Sequence, residues 1–217
     1  MPSPSDQPSA LSPELVLEGY ARGIFPMADP TDGSLDWYSP DPRAILPLDG
    51  VHVPRSLQRT IRAGRFRVTV DLEFEGVIHA CAAPRPSEPE SWIDHQIIDV
   101  FTCLHRMGWA HSFEAWCGDQ LVAGLYGVAI GGVFFGESMF SDPDRGRDGS
   151  KVCLVRLVEH LVACGFTLLD VQFRTDHLQR FGCIELDRDA FMLRLGQAIA
   201  IGPRWRAPGG ETCDSTA

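Results

Sequence analysis

The apolar positions of the chain change period repeatedly between the spacing of a helix and that of a strand. In "SPELVLEGYARG" Ser12 suits an N-cap, Pro13 the first turn and Glu14 the positive end of a helix dipole. Leu15, Leu17 and Tyr20 supply the apolar positions and Gly23 the stop. The next stretch, "IFPMADPTDGSLDWYSPDPRAILP", is dense in Pro, Asp and Gly and reads as turns and short extended pieces. "RFRVTVD" alternates as a strand does, "EFEGVIHACAA" reads as a helix, "PRPSEPE" as a loop, "SWI" as a short apolar return and "QIIDVFTCLHRMG" as a helix stopped by Gly108. "AHSFEAWC" and "QLVAGLYGVAIG" are strands joined by the turn "GDQ", and Gly131-Gly132 leads by a hairpin into the strand "GVFFGESMFS". Beyond the loop "DPDRGRDG" come a helix with Ser150 as N-cap and Gly165 as stop, the buried strand "FTLLDVQF", the short helix "TDHLQRFGC" and a last helix capped by Asp187.

That order predicts an α+β fold, a mixed sheet flanked by helices rather than a regular βαβ winding. A boundary near residue 43 divides it: 1–11 as a polar disordered lead-in, 12–42 as a small N-terminal subdomain, 43–205 as the main domain, 206–217 as a disordered tail. No apolar run approaches the roughly 20 residues of a spanning helix, so no membrane partner is expected. The first residues lack the basic and apolar parts of a secretory signal. The seven cysteines are odd in number and form no C-x-x-C pair, which favours reduced thiols in a cytoplasmic protein. The seven histidines include no H-x-x-x-H pair, and no structural metal is expected.

A net charge of −10 argues against nucleic acid as a general partner, but its distribution is uneven. Between Arg43 and Arg67 there are six arginines and a single acid, Asp49. Arg55, Arg59 and Arg62 fall at i, i+4 and i+7, on one helix face. That face is either ordinary solvated surface or a patch for an anionic ligand, to which the acidic remainder would orient a polyanion.

Three polar positions stand in apolar strand contexts. Glu137 lies inside "FFGESMFS", and an acid buried there needs a partner or a task. Asp170 and Gln172 in "LLDVQF" are two apart and so share a strand face. A carboxylate beside an amide can hold and orient an amine; a structural hydrogen-bonded pair is the plainer alternative. Lys151, the only lysine, begins a helix after a glycine-containing loop, where an anion or merely solvent can meet it. There is no G-x-S-x-G nucleophile motif.

Taken together, "GYARGIFPM", "WYSPDPRAILP", "SWI", "AHSFEAW", "LVAGLYGVAIGGVFFGESMFS", "GSKVCLVRLVEHL" and "LLDVQFRTDHLQRFGCIE" resemble the leucyl/phenylalanyl-tRNA–protein transferase family over about residues 11–195. The resemblance implies a GNAT-like main domain behind a small N-terminal one. It implies transfer of Leu or Phe from Leu-tRNA or Phe-tRNA to the N-terminal amine of proteins beginning with Arg or Lys. The product is an N-degron, and neither metal nor diffusible cofactor takes part. By matching, Asp170 and Gln172 fall on the active-site pair and Glu137 on the acid that faces the acceptor. Trp92 falls near the aminoacyl-adenosine end. Tyr126, Phe134 and Met139 become candidates for the apolar side-chain pocket, with Ser141 and Lys151 beside the substrate. Arg43, Arg55, Arg59 and Arg62 become the tRNA contact, made to the backbone and salt-sensitive, with no role for DNA.

Two features depart from the family pattern: the segment before "LSPE" is short, and Met27 follows "GIFP" where a tryptophan is common. Two other functions compete. A GNAT-type enzyme using acyl-CoA would carry an [RQ]-x-x-G-x-[GA] loop, which "DRGRDGSK" does not fit. A non-catalytic tRNA-binding protein would bind without depending on Asp170, Gln172 or Glu137.

Overall fold

The structure, a computed structural model, describes residues 11–84, 90–202 and 205–206. The expected lead-in and tail lie outside these residues except for Leu11 and Arg206. Helix α1 (Pro13–Ala21) opens as its sequence predicts, with Ser12 Oγ accepting from Leu15 N at 3.2 Å. Strands β1 (Phe25–Ala28) and β2 (Leu35–Tyr38) then pair antiparallel. Gly19 lets α1 lie directly on this hairpin, since a Cβ there would sit 2.2 Å from the Trp37 ring.

The remaining strands are β3 (Arg43–Ile45), β4 (Arg67–Val70), β5 (Ala110–Cys117), β6 (Gln120–Ile130), β7 (Val133–Ser141), β8 (Leu168–Gln172) and β9 (Ile184–Leu186). They form one seven-stranded sheet in the order β4-β5-β6-β7-β8-β3-β9, antiparallel throughout except for the parallel pair β7–β8. The helices are α2 (Arg55–Arg62), α3 (Phe74–Ala82), α4 (His95–Arg106), α5 (Gly149–Cys164), α6 (Asp176–Gln179) and α7 (Arg188–Ile199). The mixed α+β sheet with a small N-terminal part is thus the architecture predicted.

The central strands divide their side chains between two cores, as a pleated sheet requires. Phe113, Leu125 and Phe134 pack with Leu154, Leu157 and Leu161 of α5 on one face. Tyr126, Val128 and Phe135 pack on the other with Tyr20, Ile78, Phe101 and Leu195 from α1, α3, α4 and α7.

Three local readings need correction. The proline-rich segment hides β3, which lies inside the sheet between β8 and β9; "RAI" is too short to show a period. Strand β9 does not follow from the sequence pattern either. Ser150 is not the N-cap of α5: Asp148 holds that position with φ 68°, and the Ser150 N–H donates to Ser141 Oγ at 3.2 Å.

Two irregularities open the sheet. The β7–β8 pairing stops after Phe135 and Asp170, although β7 runs on to Ser141. In the β6–β7 ladder Tyr126 faces Ser138 while Gly127 faces Gly136, which leaves Glu137 as an extra, bulged residue. Gly127 is needed opposite the bulge, because a Cβ there would lie 2.2 Å from Phe135 O.

Candidate active site

Where β7 and β8 part, they enclose a cavity of about 300 Å³. Leu125, Met139, Leu154, Leu157, Leu169, Val171 and Leu178 give it an apolar wall. Trp92, Tyr126, Glu137, Ser138, Gln172, Thr175 and His177 supply its polar and aromatic groups. Trp92 and Ser138 also border a second hollow of about 280 Å³, lined further by Met27, Asp29, Tyr38 and Glu90. Trp92 therefore stands between two adjoining spaces.

Asp170 lies behind the cavity rather than in its wall. It is fully buried, and its carboxylate is held by the equally buried Arg43. Arg43 Nε donates to Oδ1 at 2.9 Å and to Oδ2 at 3.2 Å, and its Nη2 donates to Oδ2 at 2.6 Å. Nη1 reaches Gly23 O at 3.3 Å, and the guanidinium lies between the rings of Phe25 and Phe191, 4.7 and 4.8 Å from their centroids. A bidentate pair with its remaining donors partly satisfied is the arrangement in which a buried ion pair is tolerated.

The same carboxylate shapes Gln172. Asp170 Oδ1 accepts the Gln172 N–H at 3.0 Å, and Phe173 N donates to Val171 O at 2.6 Å. Gln172 is left at the centre of a three-residue turn with φ 56°, a strained conformation for a side-chain-bearing residue. The turn ends β8 and carries Gln172 into the cavity wall.

Glu137 reaches the cavity from the opposite strand because of the bulge. The residue is partly accessible from the cavity, but its Oε1 is buried. Burial pushes its pKa up to about 8; Tyr20's hydroxyl opposes the rise, Asp170 adds to it and Arg43 offsets part of it. Tyr20 and Glu137 are near enough for this effect without a hydrogen bond of good geometry. The phenols of Tyr20 and Tyr126 are held well above their ordinary pKa, chiefly by burial and then by Glu137.

Among the described residues six buried side-chain polar atoms have no hydrogen-bond partner. Four of them, Tyr126 Oη, Glu137 Oε1, Gln172 Nε2 and His177 Nε2, belong to residues lining this cavity, and a fifth, Tyr20 Oη, adjoins Glu137. Such atoms are rare in folded proteins, and a cluster of them marks a place that a polar ligand completes. His177 was not singled out from sequence; its place after the "LLDVQ" strand was the only available signal. Burial, then Lys151 and Arg180, push its pKa down, so it is neutral near pH 7.

Trp92, Tyr126, Met139, Glu137 and Gln172 line one cavity, and Asp170 stands immediately behind them. Other expectations fail. Arg43 is buried and cannot meet tRNA. Phe134 lies three residues before Glu137, where β7 is still paired with β8, and stacks near Trp205 at 5.8 Å. Ser141 bonds Ser150 Oγ at 2.9 Å, and Lys151 pairs with Asp148 at 2.5 Å; neither lines the cavity. Arg55, Arg59 and Arg62 lie exposed along α2, with no carboxylate partner among the described residues.

No cysteine or lysine lines the cavity, and among the described residues no histidine is hydrogen-bonded to Ser138 or Thr175. The site is a half-apolar, half-polar ligand-binding cavity opened in a helix-flanked mixed sheet. Comparison with known proteins goes further. The family model for leucyl/phenylalanyl-tRNA protein transferase matches residues 45–196, and the model for its N-terminal domain matches residues 9–41. The chain belongs to this family. It is 49% identical over 203 residues to the leucyl/phenylalanyl-tRNA–protein transferase of Anaeromyxobacter sp. (strain K), covering 92% of this chain and 85% of the relative. It is 52% identical over 192 residues to that of Rubrobacter xylanophilus, covering 88% and 96%. The structure of L-PGS from Bacillus licheniformis aligns with a TM-score of 0.47 and 11% identity, over 76% of this chain and 66% of that one. The chain is thus an aminoacyltransferase that carries an aminoacyl group from aminoacyl-tRNA to a protein N-terminus. Among the described residues no helix is long and apolar enough to cross a membrane.

Proposed function

We propose that the donor is leucyl- or phenylalanyl-tRNA, that the acceptor is the α-amine of a protein beginning with Arg or Lys, and that the product is an N-degron made in the cytoplasm. The observation that carries this reading is the cavity between β7 and β8, apolar along one wall and ringed by polar atoms that lack partners. A volume of about 300 Å³ suits an uncharged side chain such as Leu, Phe or Met. In this reading Met139 and the leucines receive that side chain, and Tyr126 closes its inner end. Trp92 packs beside the terminal adenosine, with Met27 and Tyr38 across the neighbouring hollow.

The ester arrives already activated, so aligning it with the amine supplies much of the rate. Gln172 orients the amine, Asp170 fixes Gln172, and Glu137 faces the acceptor. The exposed arginines of α2, Arg55, Arg59 and Arg62, contact the tRNA backbone. The division into a small unit, 12–42, and a main domain, 43–205, belongs to the same proposal, with the second hollow formed by residues of both. The test is transfer of labelled Leu or Phe from charged tRNA to peptides that differ only at their first residue. Peptides beginning with Arg or Lys are expected to be labelled and those beginning with Asp or Gly not; labelling of neither set would refute the assignment.

A further inference from the structure

An acceptor α-amine is largely protonated near neutral pH and must lose a proton before it can attack the ester. Of the two acids at this site, Asp170 is poorly placed to take that proton. Both its oxygens are occupied by Arg43 and one also by the Gln172 N–H, and it does not line the cavity. Gln172 does not titrate. Glu137 is the reverse case: it lines the cavity, its Oε1 is buried without a hydrogen-bond partner, and no cation lies within ion-pair distance among the described residues.

Resting on the function proposed above, we propose that Glu137 accepts the proton of the acceptor's terminal α-ammonium, while Asp170 acts only as a positioning residue through Gln172. Where Glu137 is ionised, a fraction that grows as pH rises toward about 8, the ammonium gives one proton to its Oε1, leaving a neutral amine and an uncharged carboxyl. The nitrogen lone pair attacks the ester carbonyl carbon. A C–N bond forms, and the C–O bond to the terminal ribose breaks with its electron pair passing to that oxygen. The nitrogen's second proton ends on the same oxygen as the ribose hydroxyl. Glu137 then returns its proton to water.

The groups around Glu137 suit this task. Tyr20 on α1 and Tyr126 on β6 stay protonated and can donate to the carboxylate but not compete for the proton. Asp170 on β8 and Arg43 on β3 act on it in opposite directions. Burial, the largest influence, brings its pKa to about 8. That lies beside the roughly 7.7–8.0 of a terminal α-amine, so the transfer is close to thermoneutral, where general-base catalysis works best. The transfer also removes both charges from a cavity that stabilises neither well.

The experiment compares wild type with Glu137→Gln, each with two arginine-initiated peptides: one with a natural α-amine, one with an α-hydrazino group that is unprotonated at neutral pH. Single-turnover rates at saturating peptide, and KM for each peptide, are measured with leucyl-tRNA as donor. The Gln variant is expected to lose on the order of 10²-fold in rate with the amine and less than about tenfold with the hydrazine, with KM nearly unchanged. Glu137→Asp, which keeps a titrating carboxyl, is expected to fall between wild type and Gln with the amine. Equal losses with both peptides would overturn the proposal, as would a loss confined to KM, which is the signature of a mere counter-charge. It is also overturned if His177→Gln alone gives the amine-specific loss. Failure of wild type to label the natural peptide would instead tell against the function itself, so the two failures are distinct.

Discussion

Arg43 and the arginines of α2 lie within twenty residues of each other and have opposite fates. Arg43 is 1% exposed, sandwiched by two phenyl rings and bidentate to Asp170. Arg55, Arg59 and Arg62 project from α2 with no acid to meet them among the described residues. The first arginine is part of the site's internal frame and the other three are free to meet a ligand. The residue type was the same; strand pairing decided which side chain was enclosed, because β3 is paired on both sides, with β8 and β9, while α2 lies outside the sheet.

The largest effect that tests this contrast is Arg43→Ala. It strands a buried carboxylate, a change that costs about 3–5 kcal/mol and lowers Tm by roughly 6–20 °C in a chain of this size. Arg43→Lys is expected to recover only part of the loss, since a lysine cannot reproduce the two-pronged pair. A wild-type melting curve for the alanine variant would erase the distinction between the two groups.

Next in size is Asp170→Asn, which keeps the shape of the side chain but weakens its hold on Arg43 and on the Gln172 turn. Turnover is expected to fall on the order of 10²-fold, with tRNA affinity unchanged in a filter-binding or anisotropy assay. A parallel fall in tRNA affinity would show that Arg43 and Asp170 report on the tRNA surface after all.

Replacing Arg55, Arg59 and Arg62 together by Ala is expected to do the opposite. Each change stays within about 0.5 kcal/mol in stability, while affinity for tRNA drops and its logarithmic salt dependence flattens by about 0.7–0.9 for each phosphate that is no longer neutralised. Unchanged affinity at low salt would return that face to ordinary surface.

The smallest effect compares the two buried acids, Asp170 with its arginine and Glu137 without one. Glu137's pKa is raised to about 8 in the folded chain, so the folded state holds the extra proton between the ordinary carboxyl range and that value. Its contribution is fully present at low pH and is lost as pH rises through about 8. Glu137→Gln removes that loss, and it is expected to raise Tm by roughly 2–6 °C at pH 8.5 and by much less at pH 4.5. A gain independent of pH would mean that packing, rather than ionisation, separates the variants.

Much of this was legible in the residue pattern. Caps at Ser12 and Asp187, the stop at Gly165 and the strands of the meander follow from local preferences that the chain satisfies where they stand. The motif around Glu137, Asp170 and Gln172 marked three polar residues in apolar surroundings, and family resemblance assigned them a reaction. Strands β3 and β9 were not legible, because three-residue strands owe their existence to partners far along the chain. Nor was the true arrangement of Asp170 and Gln172. A regular strand would show both on one face, whereas the turn at φ 56° puts the amide in the cavity and leaves the carboxylate behind it.

The sequence by itself determined the class of fold, since periodicity and caps are local properties, and the resemblance of its motifs to a family pointed to the reaction. Tertiary structure alone decided which acid faces the cavity. Burial and pairing depend on neighbours more than a hundred residues away: Arg43, 127 residues from Asp170, occupies that carboxylate, and a one-residue bulge leaves Glu137 exposed to the cavity without a partner.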